Sequence, residues 1–354
     1  MNEVSIITDG KKITGWTQLN VRRTMSELCD SFNFDYSDRW SNDFPLYTGL
    51  PCQIQIDGIP ITTGFIDEIE PEVNDSSMSF MLSGRSKTMD LVDCNRVQAP
   101  YSWRNQNIYN LVKSICDPHG IKVTIERANP GEPFTEASVD QNESLFDFIQ
   151  KLVKQRQLLT ISGTDGNLIL TNAGNTKSVD SFIEGENISS IKGKFSWANR
   201  YSEYVIKGQQ KVKASADSWG GKTIAIYSKA IDENVLRFRP KMFTGNTQLT
   251  TGAAQLQVNW EAQVRAGRSN RFSIIHPSWV QSNGDLWKEN LITYVKHSKL
   301  KLDGEFLIES VDYTQENNTQ YSTIYFVMPD TYAIDPKDIV VKKPVKSGKY
   351  GWNK

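Results

Sequence analysis

The side chains able to carry acid–base, metal or nucleophilic chemistry are few and scattered along this chain of 354 residues. Its three histidines, His119, His276 and His297, lie far apart, none in an HExxH pattern and none beside a serine or cysteine nucleophile motif. Cys29, Cys52, Cys94 and Cys116 occupy separate segments, with no CxxC pair and no histidine at zinc-ligand spacing, so they are expected to be buried, reduced thiols. Paired carboxylates could serve glycoside hydrolysis. The densest cluster is Asp67, Glu68 and Glu70, and Asp67 has a counterpart, Glu309, in a similar later segment, which favours a structural role. Gly220-Gly221-Lys222-Thr223 echoes the end of a phosphate-binding loop, but Ala216 stands where the first glycine belongs. Trp16, Trp40, Trp103, Trp197, Trp260, Trp279 and Trp287 fall in patterned segments and are expected in cores rather than on a sugar or single-strand platform. The expected catalytic, cofactor-binding and metal-ligating sets are therefore all empty.

Composition narrows the class further. With 40 basic and 41 acidic side chains the net charge is −1, against sequence-independent binding to duplex nucleic acid. No run of about 18 apolar residues predicts a membrane-spanning helix. Met1 to Ile7 lacks the basic and apolar regions of a secretory signal, so none is expected. A content of 38% hydrophobic and 23% charged residues is that of a folded globular chain, and its length predicts two or three domains.

The elements that would position any site are mainly strands. Phe32, Phe34 and Tyr36 alternate with polar residues, as do Ile54 and Ile56, and then Met78, Phe80 and Leu82. Asp9-Gly10, Asp57-Gly58 and Asn74 to Ser77 supply turns, and a short helical stretch is expected over Ser86 to Asp93. The period then changes. Ile108, Leu111, Val112, Ile115 and Cys116 mark an amphipathic helix stopped at Asp117-Pro118-His119-Gly120, and Leu145, Phe148, Ile149, Leu152 and Val153 mark another, capped by Asn142 or Ser144. A strand over Ile121 to Ile125 and a hairpin turning at Thr164 to Asn167 complete a small α+β module. Strands return from Ile188, interrupted by a helix near Ala253 to Val264 whose face holds Ala253, Leu256, Trp260 and Val264. The expected fold is mainly β with α+β inserts: two tube-like antiparallel β-barrels plus the module. The expected divisions are 1–96 for the first barrel, 97–185 for the module, 186–330 for a second and discontinuous barrel, and 331–354 for a lysine-rich extended arm.

The two β-rich ends repeat one order of features. Phe32 to Phe34, Trp40, Leu46-Tyr47, Gln53 to Ile56, Asp57-Gly58, Phe65 to Glu70 and Met78 to Ser83 make the first. Phe272 to Ile274, Trp279, Leu286-Trp287, Leu291 to Tyr294, Asp303-Gly304, Leu307 to Asp312 and Tyr321 to Met328 make the second. A chain with two copies of one unit can meet a six-fold partner by trimerising.

Many of these segments carry a resemblance. Gly15-Trp16, Val21 to Ser26, Asp38-Arg39-Trp40, Gly64 to Pro71, Ser83 to Lys87 and Asp90 to Cys94 resemble the baseplate hub proteins of Mu-like contractile-tailed phages. So do Asp117 to Ile121, Leu168 to Thr171, Arg237 to Pro240, Trp260-Glu261-Ala262, Arg265 to Arg268, Leu286-Trp287 and Pro329-Asp330. The resemblance runs from about Val4 to Tyr332, and the arm after Tyr332 matches nothing in the pattern. It implies a non-enzymatic virion protein of the tail baseplate, assembled in the host bacterial cytoplasm. Each homotrimer would form a pseudo-six-fold ring joining the hexameric tail tube, or a tube-initiator protein, to the trimeric spike, with the tape measure protein a further partner. Phage DNA would pass through the bore without sequence-specific binding, and no stable membrane insertion is implied. The ring is expected to continue one sheet through strand edges and to present acidic residues to the bore. The hub part of a secretion-system spike is the second reading, and a cell-wall hydrolase or glycan-binding domain is the third.

Overall fold

The computed structural model describes residues 2–38, 46–73, 75, 78–126, 131–156, 158–174, 176–212, 222–244 and 250–332. Trp40, the Gly220-Gly221 segment and the lysine-rich arm beyond Tyr332 lie outside the described residues.

The first β-rich part holds β1 (Val4–Thr8), β2 (Lys11–Ile13), β3 (Gln18–Thr24), β4 (Ser31–Asp38), β5 (Pro51–Ile56), β6 (Ile59–Val73) and β7 (Met78–Ser86). Asp57 and Gly58, at φ 49° and 79°, make the two-residue turn between β5 and β6 that suits the right-handed twist of a hairpin. Helix α1 (Met89–Asp93) follows, shorter than expected because Ser86 stays in β7.

The module comprises β8 (Ser102–Gln106), α2 (Ile108–Cys116), β9 (Val123–Ile125), β10 (Phe134–Ser138), α3 (Leu145–Gln155), β11 (Leu159–Ser162) and β12 (Leu168–Thr171). The apolar stripes of α2 and α3 meet in one core with Trp103, Val123, Leu168 and Leu170. Ser144 is the cap of α3, its hydroxyl accepting the Asp147 N–H at 3.1 Å, while Asn142 takes a left-handed turn position.

The rest of the chain runs β13 (Thr176–Lys177), β14 (Phe182–Ile183), β15 (Ser190–Phe195), β16 (Glu203–Val212), β17 (Lys222–Ile231), β18 (Pro240–Thr244), α4 (Thr251–Arg268), β19 (Asn270–His276), β20 (Leu291–His297), β21 (Leu302–Glu316) and β22 (Thr319–Val327). Helix α4 lies across the β17-β16-β18 sheet, burying Ala254 and Val258 against Tyr204, Ile206 and Ile226. Its buried face is therefore Ala254, Val258, Glu261 and Val264 with Trp260. The expected Leu256 is turned to solvent and Ala253 is only partly covered.

The repeat is a topological fact. Strands pair in the order β4-β7-β6-β5 in one copy and β19-β22-β21-β20 in the other. The third strand of each copy is 15 residues long, and each carries a bulge against the second strand, at Asp67 in β6 against β7 and at Glu309 in β21 against β22. One expected turn is displaced. Asp303 and Gly304 lie inside β21, paired with Lys296 and Val295, and the chain reverses at Ser298 to Lys301 instead.

The two copies are not separate bodies. Strand β3 pairs with β4 on one side and β21 on the other, fusing both copies into one 14-stranded sheet over one apolar core. The strand order is an open path among the described residues, with hydrogen bonds closing neither copy on itself.

Candidate assembly interface

The sequence-selected chemical groups are dispersed by the fold. His119 ends a short 3-10 turn, His276 packs edge-on to Phe182 and Trp287, and His297 lies near Glu184 at 3.7 Å. Cys52 and Cys116 are buried, and burial pushes both thiols up to about 12, leaving inert thiols. Cys29 and Cys94 are half-buried, a departure from the expected burial: Cys29 lies beside Ser86 of β7, and Cys94 caps α1 at the edge of the module core. Trp197 also departs from a core role: it is 41% exposed, with the Arg200 guanidinium over its ring. Among the described residues no group of three His, Cys, Asp or Glu side chains is placed to hold a metal ion.

Asp67 and Glu309 do share a role. Each bulged carboxylate receives an arginine: Arg85 reaches Asp67 at 2.6 Å, and Arg271 reaches Glu309 at 2.7 Å. Bulges aim a side chain out of the alternating ladder, and here both copies spend that residue on an ion pair. Glu68 and Glu70 remain on the exposed face of β6.

Sequence reasoning missed a buried ion cluster at the centre of the molecule. In β3 the inward positions are Leu19, Val21 and Arg23, so a guanidinium sits on an otherwise apolar stripe. Its Nε and Nη2 donate to Glu289 at 2.6–3.2 Å, Nη2 also donates to the Ser162 carbonyl at 2.8 Å, and Nη1 donates to the Ile61 carbonyl. One side chain thus ties the first copy, the module and the second copy together. Burial works against the charge on Arg23, but Glu289 and Asp30 outweigh it and hold the guanidinium protonated. A cleft of about 650 Å³ opens beside it, lined in part by Ser162, Glu289 and Tyr313.

Asp30, 4.0 Å from Arg23, is buried beside the same pair, and desolvation pushes its carboxyl up to about 7 against the pull of Arg23. The folded chain therefore holds this proton more tightly than the unfolded chain does. That contribution is complete below the unfolded value near ~4 and is lost as pH rises through about 7. Asp30→Asn, which is neutral at every pH, should leave urea unfolding nearly unchanged at pH 4 and raise the midpoint at pH 8. Parallel curves for variant and wild type would contradict this.

The remaining site is made of backbone. In β21, residues 302–307 pair with β20 and residues 310–315 pair with β3. This in-chain joint is antiparallel, with Tyr313 opposite Val21 and Asp312 opposite Arg22. Arg22 lies 3.7 Å from Asp312 and over the Tyr325 ring, and the Asn20 amide donates to Thr314 Oγ1 at 2.9 Å. In β6 the first half likewise pairs with β5, but residues 68–73, among the described residues, pair only with β7. Strand β15, among the described residues, pairs only with β19. One open edge is thus lined by Glu68, Glu70 and Glu72, all exposed, and the other by exposed Lys192 and Lys194.

A duplicated sheet that joins its own copies edge to edge, and leaves one edge of each open among the described residues, marks a protein built for edge-to-edge assembly. Residues 3–86 match the family described as Mu phage baseplate assembly protein GpP-like, N-terminal. Residues 88–172 match the second domain of baseplate hub protein gp44-like, and residues 250–335 the fourth domain of GpP. Baseplate hub protein gp44 of Escherichia phage Mu is 27% identical over 314 residues, spanning 87% of this chain and 83% of that protein. The 43 kDa tail protein of prophage MuSo2 from Shewanella oneidensis is 30% identical with a TM-score of 0.82, covering 94% of this chain and all of that one. A type VI secretion component of E. coli, c3393, shares the fold at 9% identity and a TM-score of 0.60, over 94% of this chain and 79% of that one. The chain belongs to the baseplate hub family of Mu-like phages.

Proposed function

We propose that three copies of this chain close into a ring with six similar sectors, which joins a six-fold tail tube to a three-fold spike. The family already makes the chain a baseplate hub of a Mu-like phage tail and a virion component. The observation that carries the finer reading is the β3–β21 joint, where one copy of the repeat docks onto the other without a break in the sheet. The open edges on β15 and on the far half of β6 are the same two elements one repeat further on. Repeating the joint between chains gives each chain eight ring strands, β6, β7, β4, β3, β21, β22, β19 and β15, hence 24 from three chains. At about 4.8 Å between strands such a ring is at least roughly 37 Å across, wide enough for an aqueous bore.

The ring face opposite the core becomes the bore. It is rich in hydroxyl and amide groups, among them Asn33, Ser79, Ser83, Asn20, Thr314 and Thr323. It also carries both signs, with Asp35, Glu70 and Asp312 against Arg22, Arg271 and Lys194. In the proposed ring this lining would be mixed and hydroxyl-rich rather than acidic, and it would let a polyanion such as DNA slide without strong attraction. The divisions proposed here are 1–96, 97–185, 186–330 and 331–354, with the module outside the ring strands and the end of 97–185, β13 and β14, paired onto β20 of the second copy. Partners are then the tail tube or its initiator, the spike and the tape measure protein, with catalysis no part of the work.

The likeness to c3393 keeps a secretion-system hub as the second reading, since it shows that the fold serves both settings. Light scattering coupled to size exclusion tests the ring. A mass near three times 40.1 kDa is expected. A monomer, both alone and with tube and spike proteins present, would overturn it.

A further inference from the structure

We infer that β15 of one copy adds antiparallel to the outer edge of β6 in the next copy, with Lys194 opposite Glu70, Gly193 opposite Pro71 and Lys192 opposite Glu72. This rests on the ring reading and specifies its joint residue by residue.

The register follows from the repeat. Val21 of β3 faces Phe32, and Gly193 of β15 faces Phe272, and these two phenylalanines hold the same place in their copies. Phe32 faces Gly84, which faces Ile66, while Phe272 faces Phe326, which faces Ile308. The bulged residues Asp67 and Glu309 come next and set β6 against β21. Val21 therefore corresponds to Gly193, and Tyr313 to Pro71. Carrying the in-chain pairs Tyr313–Val21 and Asp312–Arg22 across gives Pro71–Gly193 and Glu70–Lys194, and one step on, Glu72–Lys192.

Nothing in that transfer used charge, yet both lysines land on glutamates. The Glu70–Lys194 pair repeats the Asp312–Arg22 ion pair of the in-chain joint. On the opposite face, Ile191 falls opposite Val73, and Val73 is 53% exposed in the single chain. Burial of the corresponding residues supports the same seam: Ser310 to Thr314 are buried under β3, whereas Glu68, Glu70, Pro71, Glu72 and Val73 are exposed. Lysine and proline also blunt edges against promiscuous pairing. Here they admit one partner, because a like edge would set lysine against lysine or glutamate against glutamate.

The test is oxidation of full-length variants carrying Glu70→Cys with Lys194→Cys, or Glu72→Cys with Lys192→Cys. Directly opposed residues lie within disulfide reach. Glu68→Cys with Lys192→Cys, four residues out of register, is the control, and each single variant reports any background from Cys29 and Cys94. Covalent dimers and trimers on a non-reducing gel should exceed the control roughly tenfold. Lys192→Glu with Lys194→Glu should lower the trimer fraction, and adding Glu70→Lys with Glu72→Lys should restore it. Trimers by light scattering that cross-link no better than the control would overturn this register, leave the ring standing and assign the edges to another occupant. A chain that stays monomeric and uncross-linked, alone and with tube and spike proteins, would overturn both.

Discussion

Arg23→Met should destabilise the folded chain by about 3–5 kcal/mol, the range for breaking a buried ion pair from one side. Methionine fills much of the volume but donates nothing, so Glu289 would be left buried beside Asp30 without a countercharge. The carbonyls of Ile61 and Ser162 would lose their donor at the same time. For a chain of this length that is a fall of roughly 4–7 °C in the thermal midpoint. Arg22→Met is the internal control: its guanidinium is 38% exposed beside Asp312 on the opposite face of the same strand, where a change under about 1 kcal/mol is expected. Equal effects for the two variants would mean that the cluster is hydrated and carries little of the union between the two copies and the module.

Trp279→Ala should cost a similar about 3–5 kcal/mol, for a different reason. The indole is fully buried, lies edge-on to Tyr313 and donates from Nε1 to the Tyr321 carbonyl at 2.9 Å. Its removal opens a cavity where the segment between β19 and β20 folds back over the core, and it orphans a buried acceptor. Trp279→Phe should recover most of the packing and fail to recover the hydrogen bond, so an intermediate midpoint in thermal unfolding is expected. An alanine variant that melts within about 1 °C of wild type would show that this segment closes the core without its indole.

Much of this architecture is legible in the chain. Alternation at Phe32, Phe34 and Tyr36 and at Ile54 and Ile56 placed strands correctly, since a half-buried sheet demands that period. The repeat was readable because apolar and aromatic residues recur in the same order, although Asp303-Gly304 lies inside β21 where its counterpart Asp57-Gly58 turns, and the match of Asp67 with Glu309 proved to be a match of bulges. What could not be read is what pairs across distance. The joint of β3 with β21 links residues nearly 300 positions apart, and neither strand carries a local mark of its partner. Arg23 was visible as a charge on an apolar stripe, but Glu289 lies in an irregular segment where a buried acid looks like any surface one. The stripe on α4 was misplaced for a similar reason. Its burial is set by the β17-β16-β18 sheet it packs on, so Leu256 faces outward despite its hydrophobicity.

The β3–β21 joint has a consequence for how the ring proposed above comes together. A seam made inside one polypeptide forms at the effective concentration set by its tether, commonly millimolar, however little protein the host has made. Six separate repeats would have to gather six molecules, and the yield of closed rings would rise with the sixth power of monomer concentration. Fused in pairs, they need three encounters' worth of material and follow the third power. Early in infection, when hub chains are scarce, that exponent separates a baseplate that nucleates from one that waits.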